Sequence, residues 1–410
     1  MDNINSTIPD TWELIKLGEI TTYTKGYAFK SINYISEGTR VIRISDTNAH
    51  SIKEENPIFI SNEDGQYDKW KLIENDLVFT TVGSKPPMYD SMVGKVIKVH
   101  KKQEGALLNQ NAVILRGLKS KVNQHYLYHN FKLKKYLNFI ETIVRGNANQ
   151  VSITLKELFN YVIPLPPLKE QKKIAEILSQ WDEAIETTQN LIEKLQVRKK
   201  GLMQELLSGK KRLPGFSEEW ELTELKTHLI KHSEVSTESS QYPVLTSSRR
   251  GIFFQTDYYT REVASKDNTG YNVVPRGYFT YRHMSDDLIF KFNINTLCDK
   301  GIVSTLYPVF TTKETLEKEY LLNVLNEGEE FKRYALKQKQ GGSRTYMYFG
   351  KLEKLRIPLP KIEEQRAIIN FINTLQSEID EYNNLLRTQE EQKKGLMQQL
   401  LTGKKRVTID

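Results

Sequence analysis

The chain has 410 residues, of which 38% are hydrophobic and 27% charged, with a formal net charge of +8. That length supports two or three domains that each bury a core, and the positive balance favours a polyanionic partner, nucleic acid ahead of membrane. No apolar run approaches the roughly 20 residues that span a bilayer. The polar N-terminus through Trp12 lacks a charged-then-apolar signal pattern, so a cytoplasmic location is expected, and the single cysteine, Cys298, excludes an internal disulfide or a cysteine-based zinc cluster and reads as core filler.

Along the chain, residues 1–163 form a first globular region. It opens on Trp12-Glu13-Leu14, and β-rich runs at 40–44, 76–81, 93–99 and 112–115 predict strands. A helix is predicted over 123–142, followed by a polar, glycine-containing loop at 145–150. The first connector, 164–212, begins with Pro164-Leu165-Pro166-Pro167, which bars helix because proline removes a donor and forces its predecessor out of the helical region. Beyond it, apolar residues recur at steps of four and three: Ile174, Leu178, Trp181, Ile185, then Ile192, Leu195, Leu202 and Leu206. A seam sustained over about four heptads predicts a coiled-coil helix from about 168 to 208, on the order of 60 Å long. Gly209 stands where a left-handed C-terminal cap is expected. Lys210-Lys211-Arg212 suits the negative end of the helix dipole, with contact to DNA phosphate as the alternative.

Residues 213–356 form a second globular region, opening on Trp220-Glu221-Leu222. Strands are predicted at 277–281, 290–292 and 302–310, a helix over 317–338 and a polar loop at 341–345. The second connector, 357–410, carries Pro358-Leu359-Pro360, the seam Ile368, Ile372, Leu375, Ile379, Leu386, Leu396 and Leu400, and Gly403-Lys404-Lys405-Arg406. Adding 194 to the number of Pro164 gives Pro358, and adding it to Gly209 gives Gly403, so the connectors repeat without insertion or deletion. The globular regions between them repeat far less well. Thr188 and Tyr382 at one matched position, and Lys199 and Lys393 at another, are less apolar and suited to fixing register.

These elements imply an α+β fold: two globular mixed α/β domains separated by two long helices packed as an antiparallel coiled coil, an internal pseudo-two-fold duplication. Domain termini lie at the surface and often close together, so the second globular region should return the chain near the end of the first helix. A duplicated frame offers two near-identical docking surfaces to two copies of one partner. Ile174, Leu178, Trp181, Gln204, Ile368, Ile372 and Gln398 are the candidate partner contacts.

Motifs for catalysis are missing. There is no GxxxxGK[ST] and no GxGxxG after a strand. Lys85-Pro86-Pro87-Met88 lacks the polar first and aromatic last residues of an amino-methyltransferase tetrad and reads as a turn. His125/His129 and His228/His232 have helical spacing but no HExxH arrangement, and read as exposed or capping histidines, so no metal site is expected. The globular loops instead carry side chains suited to duplex DNA. In the first these are Lys25, Tyr27, Lys30, Arg43, Ser84, Lys85, Asn109, Gln110, Asn111, Arg145, Asn147 and Gln150. In the second they are Ser248, Arg249, Arg250, Tyr281, Arg282, Ser343 and Arg344. Arginine and lysine match guanine edges, Asn and Gln match adenine edges, and hydroxyls and glycine-loop amides grip phosphate. A coiled-coil adaptor that joins proteins without touching DNA is the alternative reading.

The paired Pro-Leu-Pro elements, Glu170-Gln171 and Glu364-Gln365, the Gly201-Leu202-Met203-Gln204 and Gly395-Leu396-Met397-Gln398 strings, the closing Gly-Lys-Lys-Arg and the run from Gly301 to Tyr307 resemble the DNA specificity subunit of type I restriction-modification systems. The resemblance covers essentially the whole chain. It implies two target recognition domains, each reading one half of a bipartite, asymmetric DNA site, and helices that bind two methyltransferase (modification) subunits, with restriction (translocase/endonuclease) subunits joining that core. It implies a non-catalytic chain, with S-adenosylmethionine, ATP and magnesium held by the partners.

Overall fold

The tripeptides that recur at the two ends of each globular region are strand partners. In a computed structural model, which describes residues 8–48, 51–85, 88, 90–146, 151–258, 267–339 and 344–409, Glu13–Lys16 runs antiparallel to Val162–Leu165 with Leu14 opposite Pro164. Glu221–Glu224 pairs likewise with Arg356–Leu359, Leu222 opposite Pro358. Each pairing is a two-stranded ribbon, which tolerates proline because its outer edge needs no donor. The chain divides into two compact units, 1–189 with 384–410, and 190–383. Each unit therefore holds one globular head and one half of each long helix.

Both heads are built on a four-stranded antiparallel sheet of the same order. In the first unit it runs Thr21–Lys25, Ala112–Gly117, Leu77–Thr80, Val96–Lys98. In the second it runs Leu229–His232, Val309–Thr312, Phe279–Tyr281, Phe292–Ile294. A short ribbon follows in each: Val82–Gly83 with Val151–Ser152, and Met284–Ser285 with Thr345–Tyr346. A second layer differs in detail. The first unit has Ile58–Ile60, Thr39–Ile42 and Leu107–Leu108, the last pair parallel; the second has a hairpin, Leu245–Ser248 with Gly251–Phe254, and Asn272–Pro275 with Lys300–Val303.

Four expected elements differ in the structure. The helix expected over 123–142 is two, Gln124–Asn130 and Lys134–Ile143, and that over 317–338 is Lys318–Glu327 and Glu329–Lys337, broken at Gly328, whose ψ of 140° is extended. The run 302–310 is interrupted by a turn in which Tyr307 N donates to Ser304 O, so Lys300–Val303 and Val309–Thr312 are separate strands; Pro308 cannot donate to a ladder. The strand expected at 290–292 lies at Phe292–Ile294.

The long helices are Leu168–Leu207 and Ile362–Leu400. Gly209 and Gly403 follow them at φ of +71° and +75°, the left-handed caps expected. Within the first unit Lys393 pairs with Asp182 and Arg406 with Glu170. Within the second, Lys199 donates to the Gln376 amide oxygen and Arg212 pairs with Glu364. Rising numbers on one helix meet falling numbers on the other, so the helices pack antiparallel, and the matched lysines sit on the seam. Arg212 and Arg406 are thus engaged in internal pairs through Nε and Nη2.

The cores explain why the seam is so apolar. Leu17, Phe79, Leu115, Tyr126 and Tyr136 pack with Ile174 and Leu178 of the first helix and Met397 and Leu400 of the second. Phe279, Phe310, Tyr320 and Leu321 pack with Met203, Leu206, Ile368 and Ile372. Ile174, Leu178, Ile368 and Ile372, expected on a partner-docking face, are thus core residues that roof their own heads. A heptad seam carries no mark of whether it is buried within a chain or between chains. Trp181 and Gln204 are half-buried and Gln398 is exposed.

Candidate nucleic-acid interface

In each head the loops rich in basic and amide side chains converge on one end of the four-stranded sheet. The antiparallel order dictates this. Lys25 ends its strand opposite Val113, Ala112 begins the neighbouring strand opposite Thr80, and the chain leaves Thr80 directly into the Val82–Gly83 ribbon. The turn Asn109-Gln110-Asn111 sits at this end, with Asn111 at a φ of +67° and its carbonyl accepting from Thr81 N and Oγ1 at 2.9 Å. Gly26 makes the close approach possible, since a Cβ there would stand 1.9 Å from Asn109 O. Lys25, Lys30, Lys85, Gln110, Asn111 and Arg145 are exposed, and Asn109 is half-buried with its amide oxygen accepting from Gln110 N.

Arg145 joins the same end because its backbone exchanges two hydrogen bonds with Ser152, while its guanidinium is held by Glu157. Ser84 accepts from the Ser91 hydroxyl at 2.9 Å. Tyr27, 37% exposed, leans on Trp70 at 4.4 Å and on Phe29 and Tyr67, so a tyrosine expected as a DNA contact also anchors an aromatic cluster. Arg43 is withdrawn from the surface set: Nε and Nη2 bind Asp46 at 3.0 and 2.6 Å and Nη2 also donates to Asn56 O. With Nε and Nη2 both engaged, the guanidinium keeps no pair of adjacent free donors for a base. Asn147, Gln150 and Ser343 lie outside the described residues.

The second head gathers the turn 248–251, the segment 282–287 and strand Thr345–Tyr346 at the corresponding sheet end. Ser247 Oγ donates to Thr280 O, and Asn293 Nδ2 donates to Ser247 Oγ at 2.8 Å and Ser248 O at 3.0 Å, pinning the hairpin to the sheet. Ser248 caps the turn, accepting from Arg250 N and donating to Gly251 O. Arg250 lies 4.7 Å over the Tyr258 ring. Tyr281 is a correction: it is fully buried and its hydroxyl donates to Met347 O at 2.8 Å, so it is core, placed inward by strand alternation while exposed Arg282 points out.

Asp286, Asp287, Tyr346 and Tyr348 escaped the sequence reading. Arg249 Nη2 binds Asp287 Oδ1 at 2.6 Å and Arg344 Nε binds Asp286 Oδ1 at 3.0 Å. Hydrogen bonds from Arg249 and Ser285 hold the Asp287 carboxyl below the usual range. His283 stacks on Tyr348 at 4.8 Å, and Tyr348 on Tyr346 at 5.7 Å with planes 10° apart. Tyr346 and Tyr348 are exposed on either side of fully buried Met347, so the two rings share one face.

Elsewhere, among the described residues no group of three or more His, Cys, Asp or Glu side chains is placed to hold a metal ion. His125 and His129 share helix Gln124–Asn130, His129 being fully buried, while His228 Nδ1 lies 2.8 Å from Thr315 Oγ1. Cys298 is half-buried against the Leu245, Val274 and Val303 cluster. Among the described residues no helix is long and apolar enough to cross a membrane.

The family described as type I restriction modification DNA specificity domain matches residues 9–197 and 222–389. The putative type I restriction enzyme MjaX specificity subunit of Methanocaldococcus jannaschii is 29% identical, over 98% of this chain and 95% of that protein. The MjaVIII specificity subunit of the same organism is 26% identical, over 98% and 94%. Among solved structures, the type I restriction-modification S subunit from M. genitalium aligns over 100% of this chain and 99% of its own at a TM-score of 0.54 and 15% identity. A chain from a structure of complex assembly and conformational transition in the type I R-M system aligns over 96% and 98% at 0.56 and 17%. These two likenesses concern the fold, whereas the two sequence matches together span most of the chain, one over each head: the chain belongs to the type I restriction modification DNA specificity family.

Proposed function

We propose that this chain is the sequence-reading subunit of a type I restriction-modification complex, acting in the cytoplasm, in which each head reads one half of a bipartite, asymmetric DNA site. The observation that carries the reading is the same sheet end, on the same strand order, presenting different side chains in the two units: Lys25, Asn111, Lys85 and Arg145 in one, Arg249, Arg282 and Arg344 in the other. One scaffold with two unlike surfaces supports two unlike half-sites.

The long helices set the length of unread DNA between the half-sites and dock two methyltransferase subunits, with restriction subunits joining that assembly. Trp181, Gln204 and Gln398 remain available for such docking, since they are not fully buried. Methylation and cleavage, with S-adenosylmethionine, ATP and magnesium, belong to those partners, and this chain supplies binding without catalysis. The basic loops engage phosphate as well as bases, so affinity falls steeply with salt through counterion release.

The test is duplex selection and gel shift with the chain co-purified with its modification partner. A two-part motif with a fixed gap, and binding that weakens steeply with salt, is expected. Partner capture with no DNA binding would assign the chain to the adaptor reading instead.

A further inference from the structure

The second head carries two exposed arginines, each tied to its own aspartate, and the two aspartates are neighbours. Arg249 comes from the hairpin turn and Arg344 immediately precedes the ribbon strand Thr345–Tyr346, yet both reach one two-residue rack, Asp286-Asp287. The rack is itself fixed: Ser285 Oγ donates to Asp287 at 2.9 Å, Ile289 N donates to the same oxygen, and Ser285 pairs with Thr345 in the ribbon.

Stability does not account for this arrangement. The side chains are 58% and 47% exposed in one pair and 52% and 69% in the other, and ion pairs so open to water contribute little to folding. What a carboxylate anchor does provide is orientation. It removes rotamer freedom from a long side chain before binding, so less entropy is lost when the guanidinium meets its target.

The free edges are suited to one ligand chemistry. Arg344 is held through Nε, which leaves both terminal nitrogens pointing onward. Arg249 is held through one hydrogen of Nη2, which leaves Nη1 and the second Nη2 hydrogen. Two parallel N–H donors match the O6 and N7 acceptors of guanine in the major groove. A phosphate would accept from the same donors without needing a fixed direction.

We propose that Arg249 and Arg344, held in place by Asp287 and Asp286, each read a guanine in the half-site bound by the second unit. The inference rests on the proposed function and sharpens it to particular bases. Asp286 and Asp287 are positioning residues and act only through their arginines.

The test uses the full chain with its modification partner, a randomised duplex library and sequencing of the bound DNA. Arg249→Ala and Arg344→Ala should each reduce preference for one guanine by about tenfold or more. Asp287→Asn and Asp286→Asn should weaken preference at the position of the arginine they hold, and the other half-site should stay unchanged. Arg249→Lys keeps the charge but not the fork, so it should lose the guanine while keeping the salt dependence of binding. Melting curves matched to the parent protein confirm that each variant is folded. Retained guanine preference, with a uniform drop in affinity and a shallower salt dependence, would assign the arginines to phosphate and overturn the inference. A parent complex that selects no motif would instead overturn the proposed function itself.

Discussion

The guanidinium of Arg406 grips the carboxylate of Glu170, 236 positions earlier, through Nε at 2.6 Å and Nη2 at 2.8 Å. Glu170 is fully buried and also accepts from Trp12 Nε1 at 3.1 Å. The second unit repeats the trio with Glu364, Arg212 and Trp220. Removing the arginine would leave a buried carboxylate with only an indole donor. Because Arg406 is itself 44% exposed, Arg406→Ala should cost about 2 kcal/mol, less than for a fully buried pair. Hydrogen exchange should quicken in the first unit, at the ribbon Val162–Leu165 above all, and stay unchanged in the second. Equal protection in parent and variant would show that the pair contributes no stability.

The two helix-capping glycines differ in what surrounds them. At Gly403 a Cβ would meet Pro9 Cδ at 2.4 Å, whereas at Gly209 it would meet the Trp220 ring at 3.2 Å. Both alanine variants carry the left-handed penalty of about 1 kcal/mol. Gly403→Ala adds a clash with a rigid ring, so it should destabilise its unit by about 2 kcal/mol or more, and Gly209→Ala by about 1 kcal/mol. Urea unfolding followed by exchange in each unit ranks them, and equal effects would mean that Pro9 yields.

Much of this frame is legible in the sequence because its parts have local rules. Proline elements, heptads and left-handed glycines announce themselves. The repeated Glu-Gln was visible as a string, but its work was not: Gln171 donates to Pro166 O and Lys121 O and accepts from Asn123 N, and Gln365 does the same with Pro360, Thr315 and Glu317. Such a clasp joins segments about fifty positions apart, and no spacing rule reaches that far. The short strands Thr21–Lys25 and Leu229–His232 were missed because, at five and four residues, they are too short for an apolar alternation to stand out. Arg43 and Tyr281 show the limit on the interface side. Their chemistry suits DNA, and only the fold reveals that Asp46 and the core have already claimed them.

His129 makes the first unit sensitive to acid. It is fully buried, neither ring nitrogen has a hydrogen-bond partner among the described residues, and the nearest carboxylate, Asp182 at 3.8 Å, is already paired with Lys393. Burial pushes its pKa from 6.5 down to about 3, against the pull of Asp182, while Lys393, Lys98 and His125 add to the depression. Between those values the unfolded chain is protonated there and the folded chain is not, so stability falls as pH drops below 6.5. The loss is about 1.4 kcal/mol per pH unit. His129→Leu should flatten that slope without loss at pH 7, because no hydrogen bond is given up. Parallel slopes for parent and variant in urea unfolding from pH 7 to pH 5 would show that His129 does not drive the acid response.

The spacer prediction follows from where each helix changes unit, between Gln189 and Asn190 and between Asn383 and Asn384. Seven residues inserted at both points leave the pairs Asp182–Lys393 and Lys199–Gln376 in register, since each lies wholly within one unit. Seven residues are close to two helical turns, so the faces of the helices are nearly kept. The added length is about 10 Å, at most about three base pairs of duplex. The unread gap in the DNA site should therefore lengthen while both half-sites keep their bases. Insertion into one helix alone forces a mismatch between rods of unequal length and should abolish tight binding. Library selection with the co-purified complex reads both outcomes. An unchanged gap with altered half-sites would mean that the helices do not set the distance.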